Sequence, residues 1–106
     1  MWKICVEEPF MNCQKIYPIQ QKKVKSIIEH VKRNPNIKSV VIFGSSVTSK
    51  CHVGSDVDLY IEMEKEEKPF TEGFQFVYDL WTNYTVDERL YHEIENKGVL
   101  VYEQGR

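Results

Sequence analysis

The run SVVIFG, Ser39 to Gly44, is β-branched and apolar with no polar alternation. A strand with that pattern must be covered on both faces, because neither row of side chains can be left in water. It therefore marks the centre of a sheet with structure packed above and below. Gly44-Ser45-Ser46 breaks the run, and a polar stretch leads to VDLYIEM, Val57 to Met63, a second strand that ends in the charge cluster Glu64 to Lys68. That cluster reads as a solvent-exposed loop.

Helical periodicity surrounds this centre. PIQQKKVKSIIEHVKRN, from Pro18, carries Val24, Ile27, Ile28 and Val31 on one face, with proline tolerable in the first turn and Asn34-Pro35 as a stop. Its lysine-rich outer face reads as solvated surface. FQFVYDLW, Phe74 to Trp81, has the aromatic and β-branched content of a third strand. Thr85 and Glu88 have the spacing of a capping box and predict a helix start, with Val86, Leu90 and Ile94 on one face and Gly98 as the left-handed residue that ends it. A last strand follows at VLVY. Trp2, Ile4 and Val6 alternate with polar residues, so an edge strand is expected within residues 1–17, stopped by Pro9. The expected organisation is a single α/β domain over residues 1–106: an extension at 1–17, then a core at 18–103 holding a mixed sheet flanked by helices.

Composition narrows the function classes. The 106 residues are 42% hydrophobic and 28% charged with a formal charge of -2, so a folded chain without strong attraction for nucleic acid is expected. Three cysteines, Cys5, Cys13 and Cys51, lack paired spacing, which argues against a disulfide framework or zinc knuckle and fits a reducing compartment. Glu7, Glu8 and Pro9 interrupt any apolar signal core, and no run approaches the ~20 residues of a membrane span. A soluble cytoplasmic protein without membrane contact is expected. Tyrosines 78, 84, 91 and 102 suit a core or an interface, which leaves self-association open.

The chemistry concentrates in FGSSVTSKCHVGSDVDLYIE, Phe43 to Glu62. Asp56 and Asp58 are two apart at a strand start, so their carboxylates project to the same side. Like charges there repel unless water, a raised pKa or a hard divalent cation offsets the repulsion, and magnesium is the natural candidate. Taken alone, such a pair more often caps a turn. Upstream, Gly44 lets an anion approach the main chain closely, and Ser45 adds a hydroxyl donor at a helix start. Strand, Gly-Ser, ten intervening residues, Asp-x-Asp and strand form a restrictive pattern.

This pattern resembles the minimal nucleotidyltransferases of the DNA polymerase β-like superfamily, over roughly Val24 to Tyr102. The resemblance implies a palm-like sheet flanked by helices, with Gly44, Ser45 and Ser46 at a bound triphosphate. It implies two magnesium ions held by Asp56, Asp58 and a third carboxylate, assigned to Asp79, with Glu62 as fallback. It also implies ATP as donor, AMP transfer to a hydroxyl such as a tyrosine, and a HEPN-domain toxin as partner in a toxin–antitoxin pair. Many relatives carry an arginine directly after Gly-Ser, where this chain has Ser46-Val47; Lys50 is the nearest cation able to replace its charge. His52, in the loop before Asp56, is within reach of a phosphate, whereas His30 and His92 read as surface residues. The alternative to an enzyme is a noncatalytic module of the same fold that binds its partner and a nucleotide.

Overall fold

The computed structural model describes residues 1–70 and 73–105. After a single 3-10 turn at Cys13–Lys15, the elements are α1 (Pro18–Val31), β1 (Ile37–Phe43), a 3-10 turn at Gly44–Val47, β2 (Val57–Met63), β3 (Tyr78–Thr82), α2 (Glu88–Lys97) and β4 (Val99–Glu103). The strands form one mixed sheet in the order β3-β2-β1-β4. β1 runs antiparallel to both β2 and β4, and β2 is parallel to β3.

The unbroken apolar run of β1 has the two-sided role its composition requires. Val40 and Ile42 join the cluster beneath α1, where Val24, Ile27 and Val31 are fully or almost fully buried, while Val41 and Phe43 meet Leu90 and Ile94 of α2 on the opposite face. Each such aliphatic side chain contributes roughly 1.5–3 kcal/mol on burial. β2 divides in the same way. Val57, Leu59, Ile61 and Met63 face α1, so Asp58, Tyr60 and Glu62 fall on the α2 side by the two-residue period of a strand.

Four expectations differ from the structure, each for a local reason. Residues 1–6 form no strand, because the amide of the buried Gln21 captures their backbone: Oε1 accepts from the Cys5 N–H at 2.6 Å, and Nε2 donates to the Lys3 carbonyl at 2.7 Å. The third strand begins at Tyr78, not Phe74. Phe74 and Phe76 stack at 5.3 Å and pack with the buried Phe70 in the connection between the parallel strands, so their rings fill the core from a loop. The second helix is capped by Asp87, whose Oδ1 accepts from the Leu90 N–H at 2.8 Å, whereas the Thr85 hydroxyl accepts from the Thr82 N–H in the preceding turn. Gly98 is extended (φ -74°), not left-handed. Glycine is required there because a Cβ would overlap the Ile94 carbonyl oxygen and the Val41 side chain. The cluster Glu64 to Lys68 is exposed as expected.

Candidate functional site

The register of the sheet assembles the site from three strands. Phe43 is the cross-strand partner of Asp58, and Asp58 is in turn the partner of Asp79. Gly44, one residue beyond Phe43, has φ +73°, a conformation that side chains rarely adopt, and a Cβ there would overlap Asp58 Oδ2. The Gly-Ser turn and the second aspartate are thus in contact, although thirteen residues lie between them in sequence.

Asp58 is half-buried and Asp79 exposed, with Asp56 exposed just before β2. Burial pushes the Asp58 carboxyl up to about 6; the charge of Asp79, a hydrogen bond shared with Asp79 and the charge of Asp56 push in the same direction. In that hydrogen bond the protonated carboxyl donates and the ionised one accepts. Two carboxylates held this close each disfavour the other's ionised form.

All three donors are hard carboxylate oxygens, which suits magnesium. Among the described residues, however, no three His, Cys, Asp or Glu side chains converge as a cage able to hold an ion by themselves. This does not conflict with magnesium chemistry, in which one or two carboxylates commonly share the ion with water and substrate phosphates.

Ser45, Lys50 and Lys97 line one cleft of about 280 Å³ beside Gly44. Lys50 is thus beside the turn. Lys97, from the last turn of α2, was not legible because about fifty residues separate it from the motif. Ser46 differs from expectation. It is fully buried and its Oγ accepts from Gln20 Nε2 at 3.1 Å, so its hydroxyl braces the turn from behind. The same Nε2 reaches the carbonyls of Ser55 at 3.1 Å and Asp56 at 3.3 Å. One buried amide of α1 therefore ties the Gly-Ser turn to the chain entering β2. His52 is spent locally, its Nδ1 accepting from the Gly54 N–H at 3.2 Å. His30 packs edge-on against Phe70 and Phe74, and His92 is exposed near Glu88.

The family model for "Polymerase beta, Nucleotidyltransferase" matches residues 25–106, which include the turn and all three aspartates. The chain belongs to this family. A solved structure described as a mutant of the toxin–antitoxin MntA–HpeT superposes with a TM-score of 0.60 at 12% identity, covering 79% of this chain and 73% of the other. At that identity the likeness is one of fold. A comparison with curated protein sequences gives no match. Among the described residues, no helix of this nucleotidyltransferase-fold chain is long and apolar enough to cross a membrane.

Proposed function

We propose that this chain is a partner-directed module that holds a nucleoside triphosphate at Gly44–Ser45 and acts on another protein, with a HEPN-domain toxin as the partner and the chain as its antitoxin. Binding is the reading that asks least of the residues present. The observation that carries it is the joint placement of the Gly44–Ser45 turn and two lysines, Lys50 and Lys97, on one cleft. The fold likeness to one member of a toxin–antitoxin pair supports the choice of partner.

A second reading is favoured by the contact between Asp58 and Asp79. Here the chain is a magnesium-dependent nucleotidyltransferase that moves AMP from ATP to a hydroxyl of the partner. Asp56, Asp58 and Asp79 would hold two magnesium ions, which when bound acidify the attacking hydroxyl and neutralise charge at the phosphate under attack. Gly44 and Ser45 would grip the phosphates, Lys50 would add charge, and Asp79 would orient the acceptor hydroxyl and receive its proton. Pyrophosphate leaves as the new phosphodiester forms.

The test incubates the chain with labelled ATP, magnesium and a HEPN-domain protein offered as the partner. Label on the partner that disappears with Asp58→Asn establishes transfer. Inhibition of the partner without label from any nucleotide establishes the binding reading, and a partner neither labelled nor inhibited overturns both.

A further inference from the structure

The segment before α1 is irregular yet firmly held. The Trp2 N–H donates to the Gln14 carbonyl at 2.9 Å, the Trp2 ring meets Tyr17 edge-on at 5.3 Å, and Gln21 binds the backbone on either side of Ile4. Here the outcome is a second cleft of about 420 Å³, lined by Met1, Trp2, Lys15, Val47, Lys97 and Val99.

Two of those residues, Val47 and Lys97, also line the cleft beside Gly44 and Ser45. The two clefts are therefore neighbours that share those two side chains, one lined besides by Met1, Trp2, Val99 and Lys15, the other by the glycine turn and Lys50 with a single glutamate, Glu93. The ligand chemistry that matches is a polyanion joined to a flat apolar ring. From this adjacency we infer that Met1–Trp2 and Val47 form the nucleobase subsite, with the base stacked on the Trp2 indole and Lys97 neutralising phosphate charge between the two clefts. The inference rests on the nucleotide-binding reading above and adds to it the residues that recognise the base. It also gives the extension at residues 1–17 a function that a sheet edge would not supply. Stacking of a base on an aromatic ring tolerates any base, so the subsite selects nucleotides over bare polyphosphate and not one purine over another.

Calorimetric titration of the full chain with magnesium plus either ATP or inorganic tripolyphosphate separates the two subsites. Native protein should bind both, ATP more tightly. Trp2→Ala should weaken ATP about tenfold and leave tripolyphosphate unchanged, Trp2→Phe should restore most of the loss, and Lys97→Met should weaken both ligands. Since the chain has two tryptophans, Trp81→Phe leaves Trp2 as sole reporter, and ATP but not tripolyphosphate should change its emission. Unchanged ATP affinity in Trp2→Ala, or Trp2 emission indifferent to ATP, overturns the base subsite while tripolyphosphate binding preserves the phosphate turn. Native protein that binds neither ligand overturns the nucleotide reading and the subsite together.

Discussion

Gly44 and Asp58 are packed so closely that no side chain fits between them: a methyl group on residue 44 would overlap Oδ2 of the aspartate, and the backbone there is already left-handed. Gly44→Ala should therefore fail in two separable ways. The positive φ costs about 1–2 kcal/mol for any residue with a Cβ, and the methyl displaces the carboxylate. Gly105 has φ +88° with nothing within 4 Å of an added Cβ and is the exposed penultimate residue, so Gly105→Ala meets no collision and is free to relax its backbone. In urea titrations Gly44→Ala should lose stability and, with it, magnesium-dependent ATP binding by more than tenfold, whereas Gly105→Ala should lose neither. Equal binding by the two variants would disprove the role assigned to the contact.

The Asp58 proton makes stability depend on pH. Its carboxyl is pushed from 3.8 to about 6 in the folded chain, by burial first and then by Asp79 and Asp56. Between those values the folded state holds a proton that the unfolded chain has released, so the favourable contribution is complete below about pH 4 and lost as pH rises through about 6. At neutral pH the ionised carboxylate costs on the order of 1–2 kcal/mol after solvent screening. Asp58→Asn should accordingly raise the unfolding midpoint at pH 7.5 and leave it unchanged near pH 4. Magnesium with ATP should raise the native midpoint more at pH 7.5 than at pH 5, and the difference should vanish in the variant. A midpoint insensitive to magnesium at both pH values would exclude these carboxylates as its ligands.

Gln20 holds the two halves of the site in register. Its Nε2 donates toward Ser46 Oγ and the carbonyls of Ser55 and Asp56, while its buried Oε1 has no partner among the described residues. An amide kept in the core with one orphaned acceptor is costly, and an apolar residue would remove that cost while freeing the turn. Gln20→Leu should lower stability by about 1–3 kcal/mol through the unpaired oxygens. Faster amide exchange should be confined to residues 44–47 and 55–57, with a larger proportional loss of ATP binding than in a core variant of equal stability such as Ile27→Val. Uniform loosening of the whole chain would reduce Gln20 to an ordinary core residue.

What the sequence revealed, and what it hid, follows the range of the interactions. The double-sided run of β1, the apolar stripes of α1 and α2, and the Gly-Ser to Asp-x-Asp spacing are local patterns, and each proved legible. Gln20 and Lys97 were not, because their partners lie 26 or more residues away and nothing beside them in sequence marks the encounter. The α2 cap failed for a different reason: Thr85 and Asp87 are both good caps, and the turn of Thr82 decided between them. Asp87→Ala should consequently destabilise the fold by about 1 kcal/mol through the Leu90 N–H. A larger loss of α2 helicity with Thr85→Ala, read by circular dichroism, would restore the original assignment.

The choice of Asp79 over Glu62 as the third carboxylate is testable without a transfer assay. Asp79 is the cross-strand partner of Asp58 on β3, whereas Glu62 lies four residues farther along β2, opposite Ser39. At ~3.3 Å per residue that is roughly 13 Å from Asp58, beyond the reach of one ion. Removing the Asp79 charge also removes the second-largest cause of the raised Asp58 pKa and the hydrogen bond that follows it. Asp79→Asn should therefore shift the Asp58 titration, followed by carboxyl carbon NMR, toward lower pH and abolish any displacement of that resonance by magnesium and ATP. Glu62→Gln should leave both unchanged. If Glu62→Gln shifts the Asp58 titration and Asp79→Asn does not, the third ligand belongs on β2, and the pairing across β2 and β3 is structural only.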